Sequence, residues 1–162
     1  MLKRDYEGQV CSIARALEVV GERWTLLIIR DVALGHRRFD QLLDSLGIAS
    51  NVLTDRLNRL VAEGVLDRVP YSERPDRFEY RLTKKGGELS IALLALMQWG
   101  DRHLSEKPPR IARRRSDRSP VSVRIVAKDG SVVSPNDLEL LPGPGAQPTR
   151  SNTRSSRGRR RL

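Results

Sequence analysis

The chain has 162 residues, a formal net charge of +10 and an isoelectric point near 10.7, which makes nucleic acid the first partner to consider. Residues 1–104 hold 16 basic and 15 acidic side chains, so the excess positive charge lies almost entirely in residues 105–162 and does not by itself mark a binding surface. A single cysteine excludes an intrachain disulfide, and no early apolar stretch is long enough for a signal sequence or a membrane span. We therefore expect a cytoplasmic protein that does not associate with membranes.

Two helices are predicted before the first strong stop signal. Residues 11–20 place apolar side chains on one helical face. A second helix is expected to begin at Glu22 or Arg23, and it is apolar around so much of its circumference that it should be central to the core. Gly35 is the expected stop of this helix. The residues that form the two apolar faces are Ile13, Ala16, Leu17, Val20, Trp24, Leu27, Ile28 and Val32.

Two shorter helices follow, joined by a tight turn. Residues 38–46 form the first, which Gly47 ends, and residues 50–63 form the second, which Gly64 ends. Ser50 is the expected N-cap of the second of these helices. The core-facing residues of that helix are expected to be Val52, Leu53, Leu57 and either Leu60 or Val61.

The hydrophobic period then changes from that of a helix to that of a strand. Residues 65–71 and 77–82 alternate, and the polar residues 72–76 between them predict a β-hairpin with a charged tip. Thr83 is the expected cap of a long helix at residues 84–104. Two glycines in the first turn of that helix should weaken it locally.

The composition changes after the long helix. Residues 105–119 read as a basic linker, and residues 120–141 predict a small additional β-hairpin around Asp129 and Gly130. Residues 142–162 are rich in arginine and serine and are expected to be disordered.

The order of these elements is that of a mainly α, α+β winged helix-turn-helix with flanking helices. A glycine turn between two short helices lets the second of them, residues 50–63, enter the major groove of DNA, which is about 12 Å wide. The hairpin tip, residues 72–77, would then be a wing on the flanking DNA. We therefore expect a sequence-specific partner of double-stranded DNA.

Ten residues are candidates for DNA contact. Short polar side chains at the start of the 50–63 helix allow close approach to base edges, and arginines near element ends can reach phosphates. Each position also has an ordinary explanation, as part of a surface helix or of a solvated charged turn. The candidates are Arg37, Arg38, Ser50, Asn51, Thr54, Asp55, Asn58, Arg59, Arg74 and Arg77.

Asp55 is the difficult member of this set, because DNA repels a carboxylate. The side chain can be accommodated if it accepts a hydrogen bond from a cytosine amino group or if it orients an arginine such as Arg59. We favour the second explanation.

Several fragments of the chain form one colinear series. They are Cys11, VGERWTLLI at 20–28, RRF at 37–39, IASNVLTDRL at 48–57, EGVL at 63–66, YRLTKKG at 80–86, and Trp99 with Gly100. Together they resemble the HxlR-type family of bacterial transcriptional regulators over residues 8–104. The resemblance implies a homodimer formed through the N-terminal helix and the helix at 84–104. It also implies binding to an inverted DNA repeat near promoters.

Cys11 has two interpretations. A lone cysteine is most often a small buried apolar residue. At the start of a helix, however, its pKa falls and the reactive thiolate is favoured. The resemblance implies that it could sense oxidants or electrophiles, so that a small molecule or an oxidant would be an effector. Ser12 follows Cys11 here, where relatives often have proline.

An enzymatic function is disfavoured. Two histidines and one cysteine leave few components for a catalytic or metal site, and the chain has no glycine loop for a phosphate, so no cofactor is expected. The remaining alternative is a winged-helix module for protein–protein assembly or RNA binding without sequence-specific DNA recognition. The low net charge of residues 1–104 keeps this alternative open.

Overall fold

A computed structural model describes Tyr6 and residues 11–73 and 76–146. Within these ranges the fold is α+β, with helices before and after a two-stranded antiparallel sheet, as the sequence predicts. A second small sheet follows the last helix. The elements are α1 (Ser12–Val20), α2 (Thr25–Leu34), α3 (Phe39–Leu46), α4 (Ser50–Ala62), β1 (Leu66–Glu73), β2 (Asp76–Leu82), α5 (Lys84–His103), β3 (Ile125–Val126), β4 (Val132–Val133) and a 3₁₀ turn at Pro135–Asp137.

One apolar core joins α2, α3, α4 and the first sheet. Ile28 and Ile29 of α2 are central to it, as expected for a helix that is apolar on several sides. The prediction for Leu27 is wrong, because this side chain is partly exposed, and Ile13 of α1 is largely exposed. The other fully buried apolar residues are Leu42, Leu53, Leu57, Leu60, Val65 and Leu66.

The turn between α1 and α2 departs from the sequence prediction. The second helix begins at Thr25, not at Glu22 or Arg23, because Trp24 takes a left-handed conformation with φ of 78°. This conformation is costly for a residue with a side chain, on the order of 1–3 kcal/mol, so the surrounding structure must hold it. The expected stop at Gly35 is confirmed, with φ of 103°.

The start of α4 is also different from the prediction. Ala49, with extended backbone angles, is the N-cap, and Ser50 is already the first helical residue. Ser50 is therefore not the capping side chain. Its carbonyl oxygen instead accepts a hydrogen bond of 2.8 Å from the hydroxyl of Thr54. The glycine stop before this helix is confirmed, because Gly47 has φ of 60°.

A buried carboxylate joins α2 to α3. Asp31 is 2% exposed, and its oxygens accept hydrogen bonds of 2.7 Å from Nε of Arg30 and from the hydroxyl of Ser45. A buried charge needs such partners, since an unpaired one is strongly destabilising. Asp31 therefore helps to fix α3 against α2.

The loop before α3 pairs with the free edge of β2 in the first sheet. β1 pairs with β2 from Leu66 opposite Leu82 to Glu73 opposite Asp76, with an irregularity between Pro70 and Ser72. On the other edge of β2, the backbone amide of Tyr80 donates to the carbonyl of Arg37 over 2.7 Å. This pairing places the β1–β2 hairpin beside the start of α3.

The segment after α5 folds back onto that helix. The amide of Val123 donates to Oε1 of Gln98 over 3.1 Å, and the amide of Val121 donates to the carbonyl of Ala112. The predicted hairpin is present but shorter than expected, with Gly130 at φ of 88° in its turn. The predicted disorder of residues 142–162 falls mainly on 147–162, which lie outside the described residues. None of the helices described is long and apolar enough to cross a bilayer.

The first turn of α5 depends on a glycine that the sequence suggests is a weakness. Thr83 caps the helix as predicted, accepting from the amide of Gly86 over 3.0 Å. A Cβ at Gly86 would lie 2.1 Å from the carbonyl oxygen of Val65, whereas one at Gly87 would meet nothing within 4 Å. The close approach of α5 to the start of β1 thus requires Gly86.

These two glycines provide a matched test of packing. We expect Gly86→Ala to lower the free energy of unfolding by about 1–3 kcal/mol, as overpacking does in a tight core. Gly87→Ala should leave it unchanged or raise it by up to about 1 kcal/mol, through helix propensity alone. Urea unfolding followed by circular dichroism measures both. Equal stability of Gly86→Ala and the wild type would contradict this packing.

Candidate nucleic-acid interface

The face of α4 that looks away from the core carries most of the predicted contacts. Leu53, Leu57 and Leu60 are fully buried along one side of the helix. Residues three and four apart share a helical face, so the opposite side forms a second stripe. That stripe is exposed and polar, and its members are Ser50, Asn51, Thr54, Asp55 and Asn58.

The side chains of this stripe offer different groups to a ligand. Asn51 and Asn58 make no side-chain hydrogen bond with other described residues, so both amides are free to donate and accept. The hydroxyl hydrogen of Thr54 is directed to the carbonyl of Ser50. Thr54 can therefore present its oxygen as an acceptor and its methyl group as an apolar contact.

Asp55 does contact an arginine, but not the one expected. Its Oδ2 lies 3.4 Å from NH1 of Arg56, and the Asp55 side chain is 81% exposed. Arg56 in turn is held by Glu22, with NH1 and Oε2 2.6 Å apart, and Nε of Arg56 donates to the carbonyl of Arg23 over 3.4 Å. Asp55 is thus the outermost residue in a series of ion pairs that runs through Arg56 to the turn between α1 and α2.

Arg59 points toward α1 and away from the polar stripe. Its NH2 donates to the carbonyl oxygen of Glu18, and its NH1 lies 3.4 Å from Oε1 of Glu22. Local sequence patterns do not indicate these contacts, since the partners are 41 and 37 residues away along the chain. A phosphate contact by Arg59 would require its guanidinium to leave these partners.

The wing and the start of α3 bring other predicted cations together. Arg38 and Arg77 both line a shallow depression that also contains Phe78, and the guanidinium of Arg38 lies 4.6 Å from the ring centre of Tyr71. Arg37, next to Arg38, is exposed. Arg74 lies outside the described residues.

Sequence reasoning missed one cation of the β1–β2 hairpin. Arg68 of β1 stacks on Phe78 of β2, with its Cζ 3.7 Å from the ring centre. The alternation of cations and aromatic residues in the two strands was the available signal. This cation–π contact joins β1 to β2 and stabilises the hairpin.

Cys11 is exposed, so the interpretation as a buried apolar residue is wrong. It directly precedes α1, and interaction with the backbone amide of Ala14, then with that of Ile13, holds the pKa of its thiol below the ordinary value. The described residues contain no group of three or more histidine, cysteine or carboxylate side chains suited to a metal ion.

Comparison with known proteins places this geometry in one family. The model of the HxlR-like helix-turn-helix family matches residues 19–108. An uncharacterized HTH-type transcriptional regulator of Mycobacterium tuberculosis is 45% identical over 147 residues, which is 89% of this chain and 92% of the relative. That alignment is long enough to include much of the segment after α5.

Two solved structures show the same fold. The structure of PA1607, a proposed transcription factor, superposes with a TM-score of 0.73 and 37% identity, over 81% of this chain and 94% of that one. The oxidized form of the redox regulator HypR superposes with a TM-score of 0.54 and 29% identity, over 57% and 97%. These proteins are named as regulators of transcription or of redox response, and none as an enzyme.

Proposed function

Because the chain belongs to the HxlR-like helix-turn-helix family of transcriptional regulators, we propose that it is a homodimeric, sequence-specific DNA-binding protein of the cytoplasm. The observation that carries this proposal is the exposed polar stripe of α4, opposite a fully buried leucine stripe. An α-helix with its side chains is about 10–12 Å across, and the major groove is about as wide.

In the proposed complex, the polar stripe of α4 lies in the major groove. The side-chain amides of Asn51 and Asn58 pair with N6 and N7 of adenine, and Thr54 places its methyl group against the methyl group of thymine. Arg37, Arg38 and Arg77 contact phosphates, since Arg38 and Arg77 line one depression beside the hairpin and the exposed Arg37 precedes Arg38. Asp55 stays paired with Arg56 or accepts from a cytosine amino group.

Replacing the two residues best placed to read bases should remove sequence preference. We expect the double variant Asn51→Ala and Thr54→Ala to bind genomic fragments selected by the wild type at least about thirtyfold more weakly, as loss of about 1–3 kcal/mol for each of two base contacts implies. Binding to random DNA should change little, because phosphate contacts remain. Fluorescence anisotropy at several salt concentrations measures both.

The matched control is Ser122→Ala with Asn136→Ala, two polar residues in the segment after α5. It should bind both DNAs like the wild type. If the wild type itself binds selected and random DNA equally, the alternative gains support, namely a winged-helix module for protein assembly or RNA binding. The net charge of only +1 in residues 1–104 is the observation in favour of that alternative.

Dimerisation is proposed through α1 and α5. Ile91 and Trp99 of α5 and Ile13 of α1 are 65%, 51% and 69% exposed, which is unusual for large apolar side chains. Ile91, Ala95 and Trp99 recur every four residues and so share a face of α5. A second copy on this face would bury them, and its two-fold axis would suit an inverted DNA repeat.

A charge on this face should separate the subunits. We expect Ile91→Lys combined with Trp99→Lys to be monomeric at concentrations at which the wild type is a dimer, because burying two lysines costs more than the contact gains. Analytical ultracentrifugation gives the mass. Leu140→Lys, at a 95% exposed apolar residue after α5, is the control and should remain dimeric. A wild-type monomer, or a dimer that survives the double change, would contradict this interface.

We also propose that Cys11 makes the protein responsive to oxidants or electrophiles. Its exposure and its lowered pKa favour the thiolate, which is the nucleophile in disulfide exchange. The thiolate would attack a disulfide such as oxidized glutathione, form a mixed disulfide and release glutathione thiolate. The added group would then stand at the start of α1, which is linked to α4 through Arg59.

The pH dependence of alkylation tests the state of this thiol. A lowered pKa means that the thiolate persists to lower pH than in the unfolded chain. The rate of reaction with iodoacetamide should therefore reach its midpoint at a lower pH in the native protein than in urea. Equal midpoints would contradict an activated thiol. Treatment with oxidized glutathione should change DNA affinity in the wild type and leave Cys11→Ser unaffected.

A further inference from the structure

A wide groove runs between α2, α5 and the segment that folds back after α5. Its volume is about 1010 Å³, at the upper end of the range of about 300–1,000 Å³ for small-molecule sites. Leu27 and Leu34 of α2, Leu94 and Met97 of α5, and Val121 beyond α5 supply apolar walls.

The rim of the groove is strongly basic. Five arginines contribute to the lining, namely Arg23, Arg30, Arg110, Arg113 and Arg115. Among the described residues, Glu22 is the one acidic residue of the lining, and its carboxylate is engaged by Arg56 and Arg59 of α4. Arg30 is paired with Asp31, whereas Arg110, Arg113 and Arg115 have no acidic partner among the described residues, and NH1 of Arg113 donates to the carbonyl of Arg118 over 3.3 Å. An apolar trough bordered by cations has the chemistry to hold an apolar molecule that carries a negative charge.

The groove lies on a different side of α5 from the proposed dimer face. Ser90, Leu94 and Met97 line the groove, whereas Ile91 and Trp99 belong to the exposed face. At 100° per residue these two sets point in different directions, so on α5 the groove and the proposed dimer face are separate. α1 borders both surfaces, because Leu17 lines the groove one turn after Ile13.

We propose that this groove binds an amphipathic organic anion, a small molecule with an apolar ring system or chain and one carboxylate or sulfonate group. The apolar part would lie between α2 and α5, and the anionic group would meet Arg113 and Arg115. A role for this ligand as an effector depends on the function proposed above. The proposed binding depends only on the groove.

The groove is also adjacent to the turn that holds α4. Trp24, in its left-handed conformation, forms part of the lining, and the neighbouring Glu22 and Arg23 are the residues that hold Arg56. A ligand in contact with Trp24 would therefore act on α4 through Glu22 and Arg23, which hold Arg56.

Two probes that differ by one charge test the proposal. 8-Anilinonaphthalene-1-sulfonate is an amphipathic anion, and N-phenyl-1-naphthylamine is its neutral counterpart. In the full-length Trp99→Phe variant, Trp24 is the remaining tryptophan, so energy transfer from tryptophan reports binding in the groove. We expect saturable transfer to the sulfonate, with a Kd at least about tenfold lower than that of the neutral probe, as a charge-assisted contact implies.

Two independent variants locate the site. Arg113→Gln with Arg115→Gln should weaken the sulfonate about tenfold and leave the neutral probe unchanged, because only the charged contact is lost. Arg102→Gln with Arg124→Gln removes the same charge outside the groove and should have no effect. Ala33→Phe, on the α2 wall, should weaken both probes by filling the groove.

The outcomes that overturn the proposal are equal affinities for the two probes, an absence of transfer from Trp24, or undiminished sulfonate binding by Ala33→Phe. All of these measurements are made without DNA. A failure here therefore leaves the DNA-binding proposal untouched, and a failure of DNA binding leaves this one untouched.

Discussion

Three leucines on one side of α4 determine what the protein can present to DNA. Leu53, Leu57 and Leu60 are fully buried, and each contributes about 1.5–3 kcal/mol by leaving water. Rotating the helix about its axis would expose all three, so its orientation is set by the core. The polar stripe from Asn51 to Asn58 is outside as a direct consequence. Recognition chemistry therefore depends on packing, because the core decides which side chains are free.

A second constraint ties α4 to the turn before α2. Glu22 accepts from Arg56 and Arg59, and Arg59 also reaches the backbone of α1. These contacts are partly exposed, so each is worth little alone, yet they join three elements at one point. Elements with different proposed roles meet there. They are the middle of α4, the dimer helix α1, and the wall of the groove at Trp24.

Local patterns predicted much of this fold, and long-range contacts account for what they missed. The leucine stripe of α4 follows from helical periodicity, and the stops at Gly35 and Gly47 follow from the left-handed conformation that glycine allows. The left-handed Trp24 and the partners of Arg59 depend on groups distant in the chain, which no window of neighbouring residues contains. The candidate site was predictable as a stripe, but which charges remain free on it was not.

The central claim is that the stripe beginning at Asn51 lies in the major groove of a two-fold symmetric site. Iron–EDTA attached to Ala49→Cys, the exposed N-cap position of α4 near Asn51, in a Cys11→Ser background, cleaves the DNA that lies nearest to the start of this helix. On a selected fragment, the account predicts two clusters of cuts inside the bound site, separated by about one helical turn of 10–10.5 base pairs or a multiple of it. The same reagent at Lys128→Cys, on the hairpin after α5, should give no such pair. Cuts from position 128 without cuts from position 49 would contradict the account.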